Sequence, residues 1–235
     1  MPQQEKSSSS PPRLVSLWKK LDEQSNLKTN FCKFCFKPLN ENSYTYLFRS
    51  DVNLCNKCYF ALKPKYHKFK LSGVDGISLY DYSEKFASML FQFKGCFDYE
   101  LAPLFLERVK FLLRIKYQNY VLVPAPSTDE ANKKRGFNHV VEIFKSLKLK
   151  MLPIIHKTKS HKQSDHTAKG RRDITHVLSI DKNVNLKDKK ILLVDDIMTT
   201  GSTLFSCVEL LKKLHPKKIE ILVIAKTKKK PKNEY

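Results

Sequence analysis

Two adjacent acids, Asp195 and Asp196, and the hydroxyl-rich turn Thr199-Thr200-Gly201-Ser202-Thr203 are the residues of this chain best suited to chemistry. A phosphate is held by unpaired backbone N–H groups, short hydroxyl donors and a helix N-terminus, and this turn offers all three. Carboxylates accept hydrogen bonds from vicinal sugar hydroxyls, so a sugar phosphate is the natural ligand. A second chemistry-bearing set is Cys32-x-x-Cys35 and Cys55-x-x-Cys58, two pairs separated by nineteen residues. Two thiolate knuckles at this spacing suit tetrahedral Zn²⁺, and four thiolates close the coordination shell, so the role is structural. A disulfide needs an oxidising compartment that nothing else in the chain supports, and two redox-active pairs in one chain would be unusual. Cys96 and Cys207 stand alone.

The elements that position these residues follow from hydrophobic spacing. Ile191–Val194 is four aliphatic residues in a row, the pattern of a buried parallel strand, and it delivers Asp195 and Asp196 at its end. Leu204, Cys207, Val208, Leu211 and Leu214 then lie on one helical face, so the turn opens a helix. Upstream, Leu79–Tyr82 reads as a strand, Phe86 to Phe93 as a helical face ending at Gly95, and Leu101–Lys116 as one helix with Pro103 in its first turn. Tyr120–Val123 is a short strand, Phe137–Leu149 carries helical spacing, and Ile219–Ala225 is a final strand. Strands alternating with helices predict an α/β fold with a parallel sheet. Residues 1–29 form an extension expected to be disordered to about Pro12, where it is polar with the run Ser7–Ser10 followed by two prolines, and to hold a short amphipathic helix over Arg13–Leu27. Residues 30–64 hold the cysteine module, whose runs Tyr44–Phe48 and Asp51–Leu54 fit a zinc ribbon. The α/β domain covers 71–226, and a lysine-rich tail follows at 227–235.

Three further segments belong near the site. Val123-Pro124-Ala125-Pro126 ends a strand, where ligands bind in open α/β sheets; it is equally a rigid turn set by two prolines. Lys133-Lys134-Arg135-Gly136-Phe137-Asn138 combines three cations with a glycine and a polar helix start, suited to phosphate contact or to an exposed, solvated turn. His156–Arg172 holds nine His, Lys or Arg residues and almost no apolar ones, which predicts a mobile loop. Such a loop closes over a leaving group and neutralises its charge, or it tracks a nucleic-acid backbone through Lys157, Lys159, Lys162, Lys169, Arg171 and Arg172.

Lys and Arg total 44 against 23 Asp and Glu, for a net charge of +21 and a pI near 9.7. The excess points to a polyanionic partner, nucleic acid before an anionic membrane, with a lysine-rich genome as the bland alternative. No apolar run reaches the ~18–20 residues needed to span a bilayer, and the first ten residues lack the features of a secretory signal. A soluble, cytoplasmic protein with at most peripheral membrane contact is expected.

The run Ile191–Thr203 resembles the phosphoribosyl-pyrophosphate motif of type I phosphoribosyltransferases. By that resemblance Asp195 and Asp196 hold the ribose hydroxyls, Thr199, Thr200, Gly201, Ser202 and Thr203 wrap the 5′-phosphate, and Mg²⁺ bridges the pyrophosphate oxygens. Pro124, Ala125, Pro126, Arg135, Arg171 and Arg172 become candidates for pyrophosphate and loop contacts. Over most of its length the chain is similar to the ComF family, which joins a four-cysteine zinc module to a phosphoribosyltransferase-like domain. The resemblance rests on the cysteine pairs, on Tyr80 to Lys94-Gly95, on Val123–Pro126 and on the R-G-F-N signature Arg135–Asn138. It extends to Lys159–Gln163 with Arg171-Arg172, and to the acidic motif. Asp173-Ile174 stands where the family has an asparagine.

The family implies handling of single-stranded DNA in natural transformation, with DNA-translocation partners at the inner membrane. Phe34, Phe36, Tyr59, Phe60, Tyr66 and Phe69 would offer stacking surfaces for unpaired bases or form the core of the zinc ribbon. An intact ligand turn equally permits an enzyme that transfers phosphoribose to a base or amine, though no acceptor pocket or catalytic residue is legible. A regulator that senses the ligand without turnover ranks last.

Overall fold

The computed structural model describes residues 31–39, 54–157, 178–181 and 183–227. The backbone divides into two units, residues 1–55 and 56–235. In the first, the backbone of Phe31 bridges Pro38. Cys32 N–H donates to the Lys37 carbonyl and Phe36 N–H to the Cys32 carbonyl, both at 2.8 Å, so the first cysteine pair sits on a tight knuckle. The strand-like run expected at 44–48 and the helix expected at 13–27 lie outside the described residues, as does the run expected at 51–54 except for Leu54, which sits in a bend.

The second unit opens with α1 (Asn56–Ala61) and the antiparallel pair β1 (His67–Leu71) and β2 (Val74–Asp81). Then come α2 (Glu84–Gly95), a 3₁₀ helix (Tyr99–Phe105), α3 (Lys110–Tyr117) and β3 (Tyr120–Pro124). Two short helices follow, α4 (Asp129–Arg135) and α5 (His139–Lys145), and then a small antiparallel pair, β4 (Ile155–Lys157) with β5 (Leu178–Ile180). The motif elements close the chain: β6 (Lys190–Met198), α6 (Ser202–Lys212) and β7 (Lys218–Lys226).

The sheet order is β1-β2-β7-β6-β3, and every pair except β1·β2 is parallel. β6 lies between β7 and β3, and Ile191 to Val194 are fully buried, as an aliphatic strand covered on both faces must be. Alternation along the strand divides the core. Ile191 and Leu193 join Cys207, Val208 and Leu211 of α6 in one cluster with Val123, Ile221 and Val223, so Leu192 and Val194 face the other side. Cys207 is therefore a core residue, its thiol pushed up by burial and by Asp195.

The helix expected over Leu101–Lys116 is two elements. Pro103 has no N–H for a continuing ladder, and Leu101, Leu104, Phe105, Leu106 and Val109 are all buried. That burial leaves no exposed face for a single amphipathic helix, and the chain folds into a 3₁₀ turn before α3 begins. β1 and the β4/β5 pair were not legible, because their residues lack strong alternation: β1 keeps mostly exposed positions. Gly76 explains how β1 docks, since a Cβ there would come within 2.4 Å of the Phe69 ring.

Candidate functional site

The carboxyl ends of β6 and β3 and the start of α6 build one end of the sheet. Beyond Met198 the chain turns through Thr199 and Thr200 to Gly201, whose φ of 81° lies in the left-handed region. A side chain there is strained by about 1–2 kcal/mol. Gly201 caps α6, with Phe205 N–H donating to its carbonyl at 2.8 Å. The first turn of a helix leaves its N–H groups without intrahelical partners; Ser202 N–H makes only a 3.4 Å contact to Thr200 Oγ1. Thr200 and Ser202 hydroxyls lie 3.0 Å apart. The resulting hollow is lined by Asp195, Met198, Thr199, Thr200, Gly201, Ser202 and Thr203, among others. A tetrahedral dianion fits this donor set: exposed hydroxyls, helix N–H groups and the positive end of the helix dipole.

The two acids have unlike surroundings. Asp195 is half-buried at the edge of the hollow, and its Oδ1 accepts from Asp196 N–H at 2.9 Å. Burial, then the charge of Asp196, pushes its carboxyl well above the usual range. Asp196 is buried and points away into a polar knot. Its Oδ2 pairs with Lys94 Nζ and lies 3.4 Å from His139 Nε2, while its Oδ1 accepts from Ile197 N–H at 2.8 Å. Burial alone would raise this carboxyl; the His139 hydrogen bond and the Lys94 charge win and hold it below the usual range.

The knot continues outward. His139 Nδ1 lies 2.9 Å from Arg135 Nη1, and Arg135 Nη2 donates to Ser127 Oγ at 2.8 Å. His139 is buried, and that burial pushes its imidazole below the ordinary value despite the adjacent carboxylate. One chain of contacts thus links α2, the motif strand, α5, α4 and the loop after β3.

Every residue of the R-G-F-N signature has a place in this arrangement. Arg135 supplies the link to His139 and Ser127, and Gly136 ends α4 at φ 80°, its N–H donating to Asn132. The Phe137 ring packs on Phe93 at 5.3 Å. Asn138 Oδ1 accepts from Val140 N–H at 3.1 Å and Val141 N–H at 3.3 Å, starting α5. Lys133 and Lys134 are exposed on α4.

Val123–Pro126 does end β3 beside the motif, with Pro124 registered against Val194. Its backbone is already committed: Ala125 N–H donates to the Val194 carbonyl at 2.8 Å, and the two prolines have no N–H. Backbone donors for a pyrophosphate therefore start at Ser127 rather than within Val-Pro-Ala-Pro. Lys157 lies in β4; Lys159, Lys162, Lys169, Arg171 and Arg172 lie outside the described residues. His139 and Ser127 are members of this contact chain that the sequence did not single out, and Lys94 entered only with the family resemblance. His139 carried a signal, as a polar residue four positions before the apolar Ile143 and so on the same helical face.

The sulfurs of Cys32, Cys35, Cys55 and Cys58 all lie within 4.8 Å of one another. Cys35 and Cys55 Sγ are 3.7 Å apart, against about 3.8 Å for two thiolates at 2.3 Å from a tetrahedral zinc. The four cysteines fit that ion.

Comparison with known proteins bears on this geometry. The phosphoribosyl transferase domain model matches residues 132–235, which take in Arg135–Asn138, the acids and the turn. Competence protein ComFC of Streptococcus pneumoniae is 24% identical over 190 residues, 80% of this chain and 83% of that protein. This chain is similar to ComFC over most of its length. The ComF-type likeness reaches well beyond the phosphoribosyl transferase match, and the fold class is that of type I phosphoribosyltransferases, a mostly parallel sheet flanked by helices. Among solved structures, a hypoxanthine phosphoribosyltransferase from Staphylococcus aureus is 17% identical, with 55% of this chain and 64% of that chain covered at a TM-score of 0.37. A purine phosphoribosyltransferase from Pyrococcus horikoshii is 22% identical, with 53% and 73% covered at a TM-score of 0.36.

Proposed function

We propose that this chain is a competence protein that binds single-stranded DNA and carries a Mg²⁺-dependent site for phosphoribosyl pyrophosphate. The observation that carries the ligand half is the hollow formed by Thr199–Thr203 at the start of α6, with Asp195 at its edge. In this reading the turn holds the 5′-phosphate and Asp195 accepts from a ribose hydroxyl. Mg²⁺, when bound with the ligand, neutralises the pyrophosphate. Asp196 orients the site through Lys94 and His139 in addition to any contact with the ribose. The likeness to ComFC and the net charge of +21 support the DNA half, and the cytoplasm, where incoming strands meet their translocation partners, is the fitting location. No helix among the described residues is long and apolar enough to cross a membrane.

The deciding experiment is the affinity of the purified protein for single-stranded and duplex DNA across a salt series, with and without Mg²⁺ and phosphoribosyl pyrophosphate. Preferential single-strand binding, falling steeply with salt, is expected. Absence of DNA binding near physiological salt sinks the DNA reading. The second reading, transfer of phosphoribose to a base or amine with release of pyrophosphate, draws on the intact turn. Pyrophosphate release in a screen of nucleobases and amines would establish it.

A further inference from the structure

The end of the sheet opposite the phosphate turn carries a second concentration of positive charge. β6 and β7 begin on Lys190 and Lys218, which are register partners. The segments leading into them run side by side: Lys187 bridges Pro216, and Lys217 N–H donates to the Lys189 carbonyl at 2.9 Å. Lys187-Asp188-Lys189-Lys190 and Lys212-Lys213-Leu214-His215-Pro216-Lys217-Lys218 together hold seven lysines and one acid. Packing, not sequence proximity, joins them.

A groove of about 400 Å³ lies along the second segment, where Lys212, His215, Lys217 and Lys218 meet apolar Val74 and Ile219. Two of these cations are paired, Lys212 with Glu209 at 2.9 Å and Lys218 with Glu220 at 2.7 Å. Lys187, Lys189 and Lys217 are exposed and have no carboxylate within 4.0 Å among the described residues. The cations are spread over two adjacent segments, the turn before β6 and the connection from the end of α6 to β7, joined side by side at Lys187–Pro216 and Lys189–Lys217. A single phosphate ion is best held by converging donors. A polymer with one charge per nucleotide matches a row of separate cations, and an unpaired base has a face for the apolar floor.

We propose that this edge, Lys187–Lys190 with Lys212–Lys218, is the track for the backbone of single-stranded nucleic acid. The proposal rests on the DNA-binding reading above and names the surface that serves it. The nine-residue strand β6 separates this edge from the phosphate turn by about 25–30 Å. A strand bound here leaves the ligand hollow open, so DNA and phosphoribosyl pyrophosphate bind together without competing.

The test compares three full-length proteins by fluorescence anisotropy with labelled oligothymidine over a salt series: the natural chain, Lys187→Glu/Lys189→Glu/Lys217→Glu, and a charge-matched control, Lys63→Glu/Lys68→Glu/Lys85→Glu. Thermal melting checks their folds, and a Lys→Gln set at 187, 189 and 217 replaces the reversal if it melts early. The edge variant should lose roughly tenfold or more in affinity and about 2 units of slope in log K against log salt, at ~0.7 per phosphate contact. The control should lose far less. Equal losses in both variants mean that net charge alone acts, and unchanged binding in the edge variant puts the strand elsewhere; either overturns the proposal. A natural chain that binds no oligothymidine removes the DNA reading itself. Loss of binding to anionic phospholipid vesicles with oligothymidine binding intact would make the edge a lipid surface, and also overturns it.

Discussion

Asp195 and Asp196 are neighbours in sequence and opposites in physical chemistry. The pleat sends one to the hollow and the other into a buried knot with Lys94 and His139. Removing one partner of a buried ion pair leaves the other charge uncompensated and costs about 3 kcal/mol. Asp196→Asn should therefore melt markedly earlier than the natural chain, and adding Lys94→Met should restore part of the loss in a double-mutant cycle. Asp195→Asn removes a carboxylate that burial and Asp196 disfavour, so it should melt no earlier than the natural chain yet lose stabilisation by Mg²⁺ and phosphoribosyl pyrophosphate. Retained stabilisation in that variant would place the ribose elsewhere. His139 gives a pH signature. Its imidazole is held below the ordinary 6.5 in the folded state, so the unfolded chain binds the extra proton first. Stability is complete above about 6.5 and declines as pH falls from there toward the lowered folded value. Melting temperatures between pH 7.5 and 5 should show this decline, and it should be smaller in His139→Gln.

At the scale of elements, Arg135–Asn138 is a joint between α4 and α5 rather than a loose cationic turn. Gly136 occupies the left-handed region that lets α4 stop within one residue, and Asn138 supplies the first acceptor for α5. Gly136→Ala should cost about 1–2 kcal/mol from backbone strain, and Asn138→Ala about 1 kcal/mol from the lost cap. Both losses are readable by denaturant unfolding. Because Arg135 and His139 sit on either side of this joint, Gly136→Ala should also weaken ligand-induced stabilisation; an unaffected ligand response would separate the joint from the site. Helix α6 and its turn were legible in the sequence because an uninterrupted aliphatic strand, two acids and an apolar helical face follow one another without a gap. The break at Pro103 was harder to read, since a proline near a helix start is ordinarily tolerated. Burial of Leu104, Phe105 and Leu106 on successive positions decided it.

For the whole molecule, the four-cysteine cluster and the charge distribution set the testable behaviour. Four thiolates in tetrahedral reach predict one zinc per chain by elemental analysis, and Cys32→Ser should lose it; a metal-free natural protein would end the zinc assignment. Strong chelation should remove the ion and expose the cysteine region to proteolysis, since for small zinc modules metal binding supplies the folding free energy. The α/β unit buries its own core around β6 and β7, so its melting should change little on chelation. The charge of +21 belongs to composition, but its grouping belongs to the fold.

The order of the amino acids alone determined the α/β class, the cysteine quartet and the strand–turn–helix at Ile191–Leu214, because each rests on local spacing: an apolar run, two residues between cysteines, a hydroxyl-rich turn before a helical face. Only the tertiary structure decided that Asp196 faces Lys94, 102 residues away, and that Ala125 N–H is already occupied by Val194. Nor does any local pattern bring Lys187–Lys190 beside Lys212–Lys218. Those contacts join residues distant along the chain, and parallel pairing with burial, which no local spacing encodes, selects them.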